Sequence, residues 1–95
     1  MATLHIEHAI TDLPTWLGAF ERFAEARAAA GVRQTRIHQP VDDGCYIYVQ
    51  LDFDDEQAAT AFLVFLRGVV WASPEASPGL GGLPMGRVLT DVSRS

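Results

Sequence analysis

The chain has 95 residues, 48% of them apolar and 20% charged, in proportions that argue for a globular fold and against disorder. A chain of this length buries roughly 65% of its unfolded surface, so one domain over residues 1–95 with one core is expected. The formal net charge is −5, and all seven basic residues are arginine. Phosphate repulsion therefore counts against nucleic acid and against an anionic membrane surface, and the missing lysine removes Schiff-base chemistry.

Thr3 to Ile10 reads as a first strand, with Leu4, Ile6, His8 and Ile10 on one face and Thr3, His5, Glu7 and Ala9 on the other. Asp12-Leu13-Pro14 is a helix start, with Asp12 accepting from the free N–H groups and Pro14 tolerated in the first turn. The helix is expected to run to Ala30, where Gly31 stops it. Trp16, Phe20, Phe23 and Arg27 share one face. Arg33 to Gln39 is a second strand, and Pro40-Val41-Asp42-Asp43-Gly44 turns it into a hairpin. Cys45 to Phe53 alternates most clearly. Cys45, Ile47, Val49, Leu51 and Phe53 take one face, and Tyr46, Tyr48, Gln50 and Asp52 the other. Cys45 is the only cysteine, which rules out an intramolecular disulfide and a multi-cysteine zinc site, and its place in the alternation predicts a small core residue. Asp54 opens a second helix, with Gln57 as its capping-box partner and Ala59, Phe62, Leu66 and Val69 or Val70 facing the core. It fades near Trp71. Ser73 to Gly86 is a long Pro/Gly-rich loop, a length usually associated with function or mobility. Arg87 to Ser93 is the last strand.

The order β-α-β-β-α-β is the split βαβ, or ferredoxin-like, arrangement. It is an α+β fold with an antiparallel sheet in the order 4-1-3-2 and two helices on one face. The other face would carry His5, Glu7, Arg36, His38, Tyr46, Tyr48, Gln50, Asp52, Arg87, Leu89 and Asp91. A homodimer closed through this open face, pairing arginine with carboxylate and stacking tyrosine, is the expected assembly.

The run His8, Asp12, Trp16, Phe20, Arg27, Gly31-Val32, Asp42-Asp43 and Leu51-Asp52-Phe53-Asp54-Asp55, followed by Ala59 and Phe62, resembles the dimeric α/β-barrel superfamily. Within it, the chain is similar to the antibiotic-biosynthesis-monooxygenase-like group and its uncharacterised actinobacterial members. The resemblance covers residues 3–70 well and the last strand loosely. Segment 73–86 departs from it, since relatives often continue there as helix. The resemblance implies a dimeric barrel, pairing through the sheet, and a pocket for flat aromatic or polyketide-like ligands. The superfamily hosts cofactor-free monooxygenases, haem-degrading enzymes, isomerases and proteins without known activity, and fold does not choose among them. The haem-degrading relatives depend on an Asn in strand one and a His in the second helical region. This chain has no Asn and no His after His38, so that activity is disfavoured.

His8, ending an apolar strand face near Trp16 and Phe20, is the candidate catalytic base. The alternative is a structural histidine bonded to a backbone carbonyl or to Asp12. Trp16, Phe20, Phe62, Leu66, Trp71 and Met85 are the candidate ligand-binding residues. The alternative for Phe20, Phe62 and Leu66 is ordinary core. His5, Glu7 and His38 are disfavoured as a metal site within one subunit, because His38 falls two strands away and His8 points to the opposite face; a site across a dimer axis is the alternative. Gly79-Leu80-Gly81-Gly82 lacks the lysine and the strand-to-helix context of a phosphate loop, and Ser73, Ser77, Ser93 and Ser95 lack a nucleophile's context.

Two functions fit. One is a cofactor-free monooxygenase-like enzyme, or an isomerase- or cyclase-like one, holding an aromatic or polyketide-like substrate; no cofactor and no metal is expected. The other is a non-enzymatic dimeric module that binds a ligand or a protein. The first requires His8 to open into an apolar cavity of about a few hundred Å³; a His8 sealed in filled core favours the second. The N-terminus shows no secretory signal, and Ala61 to Ala72 is broken by Arg67 and too short to span a bilayer, so a cytoplasmic location is expected.

Overall fold

The computed structural model describes residues 1–73 and 75–92. Four strands, β1 (Ala2–Ala9), β2 (Gln34–His38), β3 (Tyr46–Phe53) and β4 (Met85–Thr90), form one antiparallel sheet in the order β2-β3-β1-β4. Read from its other edge, this is the expected 4-1-3-2. Three helices, α1 (Leu13–Arg22), α2 (Ala24–Ala30) and α3 (Glu56–Phe65), complete the ferredoxin-like α+β arrangement, and a π-helical turn (Leu66–Val70) extends α3. Among the described residues, no helix is long and apolar enough to cross a membrane.

Strict alternation makes the sheet two-faced. In β1, Ala2, Leu4, Ile6 and His8 are buried while the residues between them are half-exposed. In β3, Ile47, Val49, Leu51 and Phe53 are at most 1% exposed. These side chains meet Ala59, Phe62, Leu63 and Leu66 of the α3 segment and Trp16 of α1 in a single core. Fully burying each large apolar side chain contributes roughly 1.5–3 kcal/mol, so the β1–β3 pair with its helical cover accounts for most of what holds the sheet in place. At Gly86 an added Cβ would lie 2.5 Å from Leu63 Cδ1, which is how β4 comes close under α3.

The expected long first helix is two. Phe23 leaves helical geometry (φ −103°, ψ 16°), its N–H donates to the Phe20 carbonyl at 3.2 Å, and Arg27 Nη1 donates to the same oxygen at 2.6 Å. The Phe20 carbonyl at the break is thus satisfied by Phe23 at the junction and by Arg27 of the second segment. At the start of α1, Asp12 accepts from the Thr15 N–H at 2.8 Å, and Gly31 ends α2 in the left-handed region at φ 93°.

The second cap sits one residue later than expected. Asp55 accepts from the Ala58 N–H at 2.8 Å, and Asp54 instead holds Arg33 through two hydrogen bonds of 3.0 and 2.6 Å. Of two adjacent aspartates, the one without a tertiary partner became the cap. Cys45 is exposed rather than core, because β3 begins only at Tyr46 and the cysteine ends the turn, its N–H donating to Asp43 Oδ1 at 2.9 Å. The last strand starts at Met85, and the expected end at Ser93, like Pro74 of the long loop and Ser95, lies outside the described residues.

Candidate functional site

Among the described residues the helix-covered face of the sheet buries one polar side chain, His8, which is 4% exposed. Its Nδ1 lies 2.8 Å from the Ala9 carbonyl oxygen. A carbonyl only accepts, so Nδ1 carries the hydrogen, and in the neutral ring Nε2 keeps its lone pair. Among the described residues every sealed side-chain nitrogen or oxygen has a partner, and Nε2 has none. It therefore faces open space. Burial pushes the imidazole below its ordinary pKa, partly countered by the Ala9 carbonyl. The ring is neutral near pH 7.

That open space is an apolar cavity of about 70 Å³ between the sheet, α1, α2, the α3 segment and the long loop. His8, Trp16, Phe20, Phe62, Leu66 and Trp71 all line it. Trp16 stands 6.3 Å from the His8 ring and stacks on Phe20 at 4.9 Å with planes 22° apart. The π-turn supplies Leu66 and delivers Trp71, whose N–H donates to the Leu66 carbonyl at 2.7 Å across the widened turn. Such turns often occur at functional sites.

Met85 does not line the cavity. It pairs with Glu7 in the β1–β4 register, which puts it on the open face, where it is 53% exposed. The expected strand start at Arg87 left Met85 in the loop; its membership of β4 fixes the opposite side.

Two contributors were not among the candidate residues. Arg27 reaches the cavity with its guanidinium carbon 3.7 Å from the centre of the Phe20 ring. Its signal was present, a charged residue ending an aromatic stripe. The second is a wall from the long loop, Ala76, Ser77, Pro78 and Leu80. The loop is stitched down: the Thr11 N–H donates to the Gly79 carbonyl at 2.8 Å, the Gly81 N–H to the Ala9 carbonyl at 3.0 Å, and Ile10 bridges Leu80. Gly79, at φ 91°, approaches so closely that a Cβ there would lie 2.9 Å from the Trp16 backbone. A side chain at 79 would push the loop off the cavity.

The open face carries an ordered polar chain. Arg36 donates to both Asp52 oxygens at 2.7 and 2.9 Å and to Gln50 Oε1 at 3.3 Å; Thr3 also donates to Asp52 at 2.8 Å. Gln50 Nε2 lies 3.2 Å from His5 Nδ1, His5 Nε2 lies 3.1 Å from Glu7 Oε1, and the Tyr46 hydroxyl donates to Glu7 Oε2 at 2.8 Å. Asp52 is held below the usual carboxylate range chiefly by Arg36, and Glu7 chiefly by Tyr46 and then His5. Among the described residues, no group of three His, Cys, Asp or Glu side chains is placed to hold a metal ion.

No protein-family profile and no curated sequence matches the chain. Solved structures do match in fold. A dimeric ferredoxin-like protein from an uncultured marine organism superposes with a TM-score of 0.67 at 10% identity, over 99% of this chain and 97% of that one. A monooxygenase of Streptomyces coelicolor, solved with nanaomycin D bound, gives 0.64 at 16% identity, over 99% and 89%. A Pseudomonas aeruginosa protein gives 0.55 at 26% identity, over 97% and 94%. These likenesses bear on fold, which is ferredoxin-like and shared with a monooxygenase, and not on the source of the chain.

Proposed function

We propose that the 95 residues act as one domain, paired through the open sheet face, and that the cavity beside His8 is the site of a cofactor-free, monooxygenase-like reaction on an aromatic or polyketide-like small molecule. The observation that carries this reading is the state of His8: Nδ1 is committed to a backbone carbonyl, and Nε2 faces an apolar cavity with no partner among the described residues. A neutral imidazole so placed accepts a phenolic proton. The phenolate is then electron-rich enough to react with dioxygen itself. When a ring C–H opposite the hydroxyl becomes a second carbonyl, one atom of dioxygen enters the quinone and the other leaves as water with the two hydrogens lost. The substrate supplies all the electrons, and the protein supplies a base and a dry, oriented cavity. Trp16 and Trp71 would position the ring. The fold likeness to a monooxygenase that was solved with nanaomycin D bound adds support.

Two observations favour the second reading, a non-enzymatic binding module: His8 makes the backbone-carbonyl bond expected of a structural histidine, and the cavity is small. The cavity measures about 70 Å³, well under the few hundred expected of a ligand site, so a ring enters only if the stitched wall moves. Oxygen uptake with a panel of hydroxylated naphthalenes and anthracenes separates the two. The enzyme reading expects turnover that falls at least about 100-fold in His8→Gln. Ligand-induced thermal stabilisation without any oxygen uptake selects the binding module. Pairing is supported by the half-buried Tyr46 and Tyr48, the exposed Leu89 and Met85, and the dimeric description of one structural neighbour. A monomer mass by light scattering at micromolar concentration removes it.

A further inference from the structure

Arginines among the described residues fall into two groups. Arg33 and Arg36 are paired with Asp54 and Asp52, whereas Arg22, Arg67 and Arg87 are exposed to water. Arg27 fits neither group. It is half-buried, and among the described residues no carboxylate lies within ion-pair distance of it. Among the described residues it is also the one charged side chain on the cavity wall. Among the described residues it makes a single side-chain hydrogen bond, from Nη1 to the Phe20 carbonyl, and it packs on the Phe20 ring. A cation withdrawn from water with no carboxylate in contact is costly; Glu21 acts on it only from beyond ion-pair distance, and the ring face returns only part of that cost. The remaining N–H donors of its planar fork suit a carboxylate.

We propose that Arg27 is the anion-recognition residue of the cavity and that the ligand is an elongated, flat aromatic acid. The geometry gives the direction. His8, Trp16, Phe20 and Arg27 follow one another at 6.3, 4.9 and 3.7 Å along one cavity wall, so the stacked aromatic pair stands as a shelf between the base and the cation. A ring lying along the shelf puts a hydroxyl at His8 Nε2 and its carboxylate at Arg27. The Phe20 carbonyl, by holding Nη1, pre-orients the guanidinium for this contact. The inference rests on the cavity being a ligand site, and it narrows the substrate class from aromatic to aromatic and anionic.

The competing role for Arg27 is purely structural, closing the break between α1 and α2. Calorimetric titration of the full chain with a hydroxynaphthoate, its hydroxyl and carboxylate at opposite ends of the ring system, and with the methyl ester of the same compound separates the two. The proposal expects the acid to bind wild type at least about tenfold more tightly than the ester, the scale of one charge-assisted contact. Arg27→Gln should remove that preference and leave ester affinity within about twofold; Arg27→Lys, a point charge without the fork, should fall between. Equal binding of acid and ester to wild type overturns the role of Arg27 and leaves the cavity reading standing. Arg27→Gln weakening both ligands alike returns the residue to its structural role. If neither compound binds wild type, the cavity reading falls and takes this inference with it. The wild-type comparison needs no variant to fold.

Discussion

Each face of the sheet buries one titratable side chain, and the two are treated in opposite ways. On the open face Asp52, 7% exposed, accepts from Arg36 through both oxygens and from Thr3, so its charge is stabilised and its bonding positions are in use. On the covered face His8, 4% exposed, has one hydrogen bond, and burial favours its uncharged form. A group whose partners all lie within the chain is held in place by them. A group left with a lone pair facing an apolar cavity is free to take a proton from something else. The difference separates a scaffold face from a face that can do chemistry.

The largest effect should come from the apolar side of this contrast. Phe53 is fully buried against Phe62 at 5.9 Å between ring centres, and Phe53→Ala should cost about 3–5 kcal/mol in urea unfolding, with the slope unchanged. The polar side should cost less. Asp52→Ala removes the acceptor of Arg36 and Thr3, for an expected loss of about 1.5–3 kcal/mol. Arg36, whose side chain keeps 32% of its exposure, can turn to water, which limits the loss. If Asp52→Ala proved the more damaging of the two, the open face would be the one that holds the sheet together, and the division drawn above would have to be reversed.

Which residues belong to which face was legible in the chain, because a period of two admits no compromise: Leu4, Ile6 and His8 point one way, and His5 and Glu7 the other. The same rule explains the failure at Met85. One residue's worth of strand boundary decides whether alternation applies at all, and Met85 was read as loop. Cys45 failed for the mirror reason, as alternation was extended one residue beyond the strand. The break at Phe23 left no mark on composition, since Ala24 to Ala30 is strong helix former throughout; it shows only in where the Arg27 side chain goes. The π-turn is equally silent, and with it the placement of Trp71. Of the site, His8 and the aromatic shelf could be read from spacing. The wall from Ala76 to Leu80 could not, because it depends on Gly79 and Gly81 packing against the β1–α1 junction, a contact between segments far apart in sequence.

The smallest effect is also the most discriminating. Unfolded, His8 titrates at about 6.5, and in the folded chain it titrates lower. Above pH 6.5 both states hold it neutral, so it contributes nothing to the pH dependence. As pH falls below that value the unfolded state takes up the proton first, and stability drops until the folded pKa is passed. The carboxylates act elsewhere. Glu7 and Asp52 are lowered from 4.5 and 3.8, so the stability they add is present above those values and is lost only in stronger acid. Melting temperatures measured in pH steps on wild type and His8→Gln should therefore diverge as pH falls below 6.5, with wild type falling and the variant flatter, while below about 4.5 both fall together. The same depression keeps the imidazole unprotonated below its ordinary pKa, so turnover under the proposed reaction should not decline at pH 6.5. Parallel curves across the upper window would mean that the native imidazole takes up a proton as readily as the unfolded one. The space beside Nε2 would then be wet, and an open lone pair would no longer distinguish His8 from a solvated surface histidine.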